Sequence, residues 1–529
     1  MRIALDPGPR DGPARVQLLA DDGAPAGPVE VLADLAAVAA LEREHAPRWV
    51  FARPRAYRRL LEAGVEVARA HDVELVEGLV VAAAGRYGQP HGLAAAVARL
   101  EGREPEPDPP DAGDGPPGLF EAGPAGDELA GVVAVHAAQQ RALAAAGPAM
   151  RLLAAAESAG ALVAEEMTAH GLPWRADVHD RLLTDLLGPR PVLGGRPPKL
   201  AALAEAVTAA FGGRPVNPDS PAEVLRAFAR AGHELETTRS WELRRVDHPA
   251  VEPLLAYKEL ARLHAAHGWS WLRSWVREGR FRPEYVVGGV VSGRWASRGG
   301  GALQIPRAVR AAVRADPGRR LVVADAAQLE PRVLAALSGD HALAPGEEDL
   351  YTALAAREFG GDRAKAKLAL LSAMYGQTSG GAGALLAGLR RRFPAALAYL
   401  EDAARAGEEG RLVRSHLGRT CPPARPGHEQ PAAARARGRF TRNFVVQATA
   451  AEWALVLLAE LRQRLRAAGS PARLVFFQHD EVMLHSPAEA AAATAEAVHD
   501  AAATAGRRLF DTPVRFPMQV RIVDGYDER

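Results

Sequence analysis

"FFQHDEVMLHSP", residues 476–487, reads as two apolar strand segments interrupted by Gln478, His479, Asp480 and Glu481. Aromatic and branched side chains on both sides predict a hairpin with its polar residues at a tight turn beside a hydrophobic layer. Ionised carboxylates in such a place are costly without a positive partner, so Asp480 and Glu481 demand one. A second segment makes the same demand. In "RRLVVADAAQLEPRVLAALSGD", residues 319–340, an apolar strand runs into Asp325 and a helix begins near Glu330 and Pro331. Two like charges about 4 Å apart repel by roughly 4 kcal/mol at an effective dielectric near 20, so bringing such acids together requires bound positive charge.

Cys421 is the only cysteine, which excludes an internal disulfide and any thiolate cluster, so a metal here takes oxygen ligands. Magnesium is the natural choice. It prefers hard oxygen donors and keeps positions for water and phosphate, and pairs of such ions about 3.5 to 4 Å apart drive in-line phosphoryl displacement. A third element fits that chemistry. In "GGDRAKAKLALLSAMYGQTSGG", residues 360–381, Arg363, Lys367, Leu371 and Tyr375 recur every four residues, on one helix face about 18 Å long. The cationic end, near the electropositive helix N-terminus, suits a triphosphate, and the apolar end suits a sugar and base. An amphipathic helix with a solvated basic end explains the same pattern when the segment is taken alone.

The 529 residues, 48% of them hydrophobic, have room for two to four domains with real cores. The start "MRIALDPGPR" lacks a signal pattern and no apolar run approaches the roughly 20 residues of a membrane span, so a soluble, intracellular protein is expected. Net charge is +1, but its distribution is uneven: residues 101–128 hold nine carboxylates against Arg103, and residues 290–320 hold seven arginines against Asp316. Residues 405–442 hold nine arginines against three glutamates, so two basic runs flank the candidate site. Residues 1–100 alternate short strands ("RIALD", "RVQLLAD", "VEVARAHD") with helical stretches, predicting a small α/β domain. The proline-rich, acidic stretch within 101–130 reads as a linker. Helices are expected over 131–280 and 330–460, and strands at 284–297, 320–325, 473–485 and 513–523.

The three segments together, in this order, resemble motifs A, B and C of the family A DNA polymerases: Asp325 with Gln328, Glu330 and Arg332; Arg363, Lys367 and Tyr375 with Gly376; His479, Asp480 and Glu481. The likeness extends through "SGRWAS" at 292, "LQIP" at 303, "GRLVRSHLGRT" at 410 and "RFTRNFVVQATAAEW" at 439, and more weakly through "VNPDSPAEVLRAF". It covers roughly residues 150–529. It implies an α/β and α+β multidomain chain, with a right-hand polymerase at 131–529 behind a small ribonuclease H-like, exonuclease-like domain. The thumb would span about 150–280, the palm 281–345 and 443–529, and the fingers 346–442.

By that resemblance Asp325 and Asp480 hold two magnesium ions, for which manganese can substitute, and Glu481 is an accessory catalytic acid. Gln328, Glu330, Tyr351, Arg363, Lys367, Leu371 and Tyr375 form the nucleotide site. Glu330, packed against Tyr375, occupies the space that a ribose 2′-hydroxyl needs. Arg294, Gln304, Arg439, Asn443, Gln447 and His479 contact template or primer, and donors of this kind suit the minor groove, where every base pair presents acceptors. The implied partners are primer-template DNA and deoxynucleoside triphosphates, with no membrane, for a cytoplasmic, nucleoid-associated monomer.

Four positions depart from the family pattern: Leu371 replaces an aromatic residue, Tyr351 stands where a phosphate-binding histidine is common, Ala326 replaces a tyrosine, and "LQIP" lacks an asparagine before Ile305. None removes a metal ligand. The first domain lies where relatives carry a 3′-to-5′ exonuclease, yet Asp6 is followed by Pro7 and Gly8 in place of the paired acid such enzymes use, and Asp72 is not accepted as a substitute. A degenerate scaffold is expected, without proofreading, and the flap nuclease of full-length relatives is expected to be absent. Competing readings are a polymerase that retains exonuclease activity, a single-subunit RNA polymerase, disfavoured by Glu330, and an idle DNA-binding repair factor, disfavoured by the intact acids.

Overall fold

The computed structural model describes residues 1–9, 12–109, 127–301, 305–344, 346, 348–376 and 382–528. Gln304 and most of the expected 101–130 linker lie outside the described residues. The chain forms two compact units, Met1–His170 with Glu284–Ala296 and Val322–Ile522, and Gly171–Pro283 with Ser297–Leu321 and Val523–Arg529.

In the first unit a five-stranded sheet has the order Pro25–Leu32, Ala14–Leu19, Arg2–Asp6, Arg48–Phe51, Arg69–Asp72. The Arg2–Asp6 strand pairs antiparallel with Ala14–Leu19 and parallel with Arg48–Phe51. The strands Pro25–Leu32 and Arg48–Phe51 were not anticipated. The second of these, RWVF, is too short for periodicity to separate it from a helix turn, although Trp49 and Phe51 are fully buried. The core here runs past residue 100, because Leu129, Val132 and Val135 of the helix Glu128–Ala146 pack with Ala4, Val50 and Val73.

The same unit holds a four-stranded sheet ordered Arg473–Gln478, Glu481–Pro487, Arg319–Ala326, Met518–Val523. Arg319–Ala326 has a neighbour on each side, and its run Leu321–Ala324 is buried, as a central strand covered on both faces requires. The 37-residue helix Pro431–Ala467 buries Phe444, Trp453, Leu457 and Leu461 in the main core. Each such side chain contributes roughly 1.5–3 kcal/mol on leaving water. This helix corrects the expectation that no apolar run is long enough to span a membrane, since by length and composition it is; 83% of its most apolar window is buried within the protein, the signature of a core helix.

A largely buried ion pair ties the segment around Tyr57 and Val67 to this core. Arg462, on the long helix, donates to Glu166 of the helix Pro148–His170 at 2.6 Å, to the Val67 and Ala68 carbonyls at 2.5 and 2.8 Å, and to the Tyr57 hydroxyl at 3.3 Å. Every donor that faces the interior meets an acceptor, which is the condition for tolerating a buried guanidinium.

The second unit is built on the helices Ala176–Leu187, Pro198–Ala210, Pro221–Arg230 and Val251–His267. Ser220 caps the third by accepting from the Glu223 N–H at 3.3 Å, with Pro221 in its first turn. Three short strands, Leu172–Pro173, Arg280–Phe281 and Val276–Arg277, form a small sheet beside an aromatic cluster of Trp174, Trp271 and Phe281.

Candidate active site

The site begins where two strands of the second sheet end together. Gln478 pairs with Glu481 in the hairpin, leaving His479 and Asp480 as the two turn residues. Ala326 donates its N–H to the Asp480 carbonyl at 3.0 Å, so Asp325, one residue earlier, comes alongside Asp480 although 155 residues separate them (480 − 325). His479 has φ +58° and Gln328 +49°, and these are two of the four non-glycine residues with positive φ among the described residues. Held in a region that costs about 1 kcal/mol or more, such residues gather at functional sites.

Burial and mutual repulsion disfavour ionisation of the two acids. Burial, and then Asp480 and Glu481, push the Asp325 carboxyl from 3.8 up to about 7, with Arg521 pulling the other way. Asp480 is also raised, by burial and by Glu330 and Glu481, against the pull of Arg294. Among the described residues no group of three or more His, Cys, Asp or Glu side chains forms a ready-made metal cage. Two carboxylates that share a turn and a strand end fit instead a hard cation whose remaining positions go to water and phosphate.

Beside the acids lies a cavity of about 200 Å³ lined by Arg294, Gln328, Glu330, Tyr351, Leu371, Tyr375, His479 and Asp480, with Pro331, Ala450 and Ala451. Three separate sequence segments thus meet in one cleft. The helix Arg363–Tyr375 is capped by Asp362, which accepts from the Lys365 N–H, and ends at Gly376 with φ +68°. A Cβ at Gly376 would also press on Arg439 and Arg442 at 3.3 and 3.4 Å. Along the expected face, Leu371 and Tyr375 line the cavity, while Arg363 and Lys367 lie 5.5 and 5.9 Å from the centre of the Tyr351 ring.

Glu330 is clamped from both sides. Tyr375 donates its hydroxyl to Oε2 at 2.8 Å, and Arg294 forms an ion pair with Oε1. The carboxylate therefore has a fixed position in the cavity wall. Arg439, Asn443 and Gln447 recur every four residues on the long helix and keep part of their surface open. They do not line the cavity itself.

Two anchoring residues were not assigned roles from the sequence. Arg332 is wholly buried and donates to the carbonyls of Ala327, Gly346, Glu348 and Arg515 at 3.0, 2.6, 2.9 and 3.1 Å. It fixes the segment leading to Asp349, which caps the helix Leu350–Glu358 and binds Arg363 through both carboxylate oxygens. The signal for Asp349 was an N-cap aspartate before "LYTALAA"; the signal for its ionic partner was nil.

In the second unit the short helix Ser240–Leu243 presents a basic, aromatic surface. Leu243 is buried and Glu242 accepts the Glu236 and Thr237 N–H groups, which turns Trp241 outward, 55% exposed, among the exposed Arg239, Arg244 and Arg245.

Comparison with known proteins agrees with this geometry. The family model for DNA polymerase family A matches residues 198–527. The chain belongs to DNA polymerase family A. As a family A member it is 27% identical over 342 residues to DNA polymerase I of Chloroflexus aurantiacus, an alignment covering 59% of this chain and 36% of that protein. It is 28% identical over 316 residues to the thermostable DNA polymerase I of Thermus thermophilus, covering 54% and 37%. The alignments thus span little more than a third of those relatives' own length. The POL domain of Pol1 from M. smegmatis, solved in complex with DNA primer-template and dNTP, superposes with a TM-score of 0.76 at 20% identity, covering 99% of this chain and 95% of that one. The mixed α/β, helix-rich fold is accordingly that of the family A polymerase domain.

Proposed function

We propose that this chain is a template-directed DNA polymerase that adds deoxynucleotides to a primer 3′ end with two magnesium ions held by Asp325 and Asp480. The observation that carries the reading is the juxtaposition of these acids, with the Asp325 carboxyl driven up to about 7, at the edge of a cavity whose far wall is the Arg363–Tyr375 helix. Bound there, divalent ions supply charge for the developing alkoxide and the leaving pyrophosphate. The remaining work falls to the chain's own residues. Arg363 and Lys367 receive phosphates, Leu371 and Tyr375 receive the base and sugar, and Glu330, immobilised by Arg294 and Tyr375, excludes a 2′-hydroxyl. His479, at the turn beside Asp480, faces the primer end. Arg439, Asn443 and Gln447 follow the template-primer duplex, and the Trp241 surface offers phosphate contacts in the second unit.

Part of the same proposal is that the amino-terminal domain is a scaffold without proofreading. Asp6, at the end of its strand, accepts from Arg15 at 2.6 Å and from the Gly8 N–H at 2.9 Å, and Arg15 also reaches Asp127 at 2.8 Å. A guanidinium satisfies the acids that a nuclease would reserve for metal. Asp72 is buried and caps the helix Val73–Ala83, and burial raises its carboxyl well above the usual range.

Primer extension with magnesium, comparing deoxy- and ribonucleotides, tests the reading. Deoxynucleotide incorporation is expected, abolished in Asp325→Ala and in Asp480→Ala while duplex binding survives. Synthesis that persists in both variants would refute it.

A further inference from the structure

On the nucleotide face of the Arg363–Tyr375 helix, Arg363 is already engaged. Its Nε donates to Asp349 Oδ1 at 3.1 Å and its Nη2 to Oδ2 at 2.7 Å, a bidentate fork on a carboxylate. The same carboxylate is fixed by groups that do not belong to that helix: the Thr352 N–H donates to Oδ1 at 2.7 Å and Gln328 Nε2 donates to Oδ2 at 3.2 Å. Gln328 in turn accepts the Leu350 N–H at 3.4 Å. Asp349 is therefore anchored to the segment that follows the Asp325 strand, whereas Arg363 travels with its own helix. Both partners keep solvent access, with side-chain exposures of 51% for Arg363 and 29% for Asp349, so the pair is open to a competing anion.

We propose that Asp349 is a positioning residue that sets nucleotide affinity, holding Arg363 in the nucleotide-free protein and surrendering it to the incoming triphosphate. This rests on the reading of the helix face as the nucleotide site. The edge of the guanidinium that grips the carboxylate is one that would grip a phosphate bidentately, and the carboxylate cancels one of the two cations on that face. Binding then exchanges one anion for another at Arg363 and leaves Asp349 with the Thr352 and Gln328 donors, which do not depend on the arginine. Breaking the fork costs free energy before the phosphate can take the arginine, so the exchange lowers affinity relative to a site with a neutral residue at 349.

The test is the steady-state KM for deoxynucleotides in primer extension by the full chain. Asp349→Asn keeps the helix cap and removes the charge, and a fall in KM of about two- to fivefold is expected, the size of a partly exposed ion pair. Asp349→Ser, which caps without reaching Arg363, should lower KM likewise. In the Arg363→Ala background, where KM rises, Asp349→Asn should bring no further fall, because the two residues act through one contact. A KM that rises or stays unchanged in Asp349→Asn overturns the proposal, as does an equal fall in the Arg363→Ala background. A purely structural role would lower the thermal midpoint and leave KM in place. If Arg363→Ala alone leaves KM unchanged, the nucleotide reading of the helix face fails as well.

Discussion

The raised Asp325 carboxyl, buried beside Asp480 and Glu481, predicts a pH-dependent instability that a bound cation relieves. Replace Asp325 by asparagine and compare thermal unfolding with the unaltered protein in chelator, at pH 4 and at pH 8. The folded carboxyl sits at about 7 against an ordinary 3.8, so between those values the folded state binds the proton more tightly than the unfolded chain. Stability therefore falls as pH rises through this window and stays low above it. At 1.36 kcal/mol per unit the full difference is a little over about 4 kcal/mol, and partial solvent access at the strand end reduces it to about 1–2 kcal/mol. Asparagine carries no such burden. The variant should match the unaltered protein near pH 4 and exceed its melting temperature by about 2–4 °C at pH 8. Added magnesium should raise the midpoint of the unaltered protein at pH 8 and leave the variant nearly where it was. A difference between the two proteins that is the same at both pH values, or a variant stabilised equally by magnesium, would refute the claim that burial beside Asp480 and Glu481 raises the Asp325 carboxyl.

Four further outcomes follow from other contacts. Glu330→Ala removes the residue clamped between Arg294 and Tyr375, and the kcat/KM for ribonucleotides relative to deoxynucleotides should rise by about 10- to 100-fold in single-nucleotide extension. Arg462→Ala strands Glu166 and two carbonyls in the interior and should cost about 3–5 kcal/mol, read as a lower urea midpoint, with Arg462→Lys recovering only part. A mismatched primer incubated with magnesium and no nucleotides should keep its 3′ end, and shortening on a gel would overturn the scaffold role of the first domain. Arg244→Ala should lower the slope of log K against log salt for duplex binding by about 1, whereas Trp241→Ala should weaken binding with the slope unchanged.

Local pattern carried the parts of this fold in which a short segment answers its own question. The run before Asp325 has no polar residue to turn outward, which reads as a buried strand, and the residues flanking Asp480 read as two strand segments closed by a tight turn. The four-residue recurrence from Arg363 to Tyr375 likewise admitted one face of one helix. Partners remote in sequence left no trace of that kind. Arg462 and Glu166 lie 296 residues apart, and each reads as an ordinary charge on an amphipathic helix until Arg462 is found buried against its partner. Arg332 looks like any arginine early in a helix, and only the folded chain reveals that backbone carbonyls take its donors.

The same distinction explains why Asp349 matters and was passed over. An acid at a helix cap is so common that its usual role, one N–H satisfied, exhausts what the sequence signals. Here the capping oxygen and its neighbour also take the Arg363 fork, and that depends on the Leu350–Glu358 and Arg363–Tyr375 helices meeting with Tyr351 beside both cations. The ion pair holds that carboxyl down at about 2, so it stays charged at any pH at which the protein works. The cleft thus contains acids of two opposite kinds. Asp325 is raised by burial and by the neighbouring Asp480 and Glu481, and Asp349 is lowered by its bond to Arg363. On the proposed function, a magnesium-bound triphosphate would bring positive charge to the first and take an arginine from the second, so a single ligand would reverse both imbalances, and neither a free metal ion nor a free polyphosphate would do so alone.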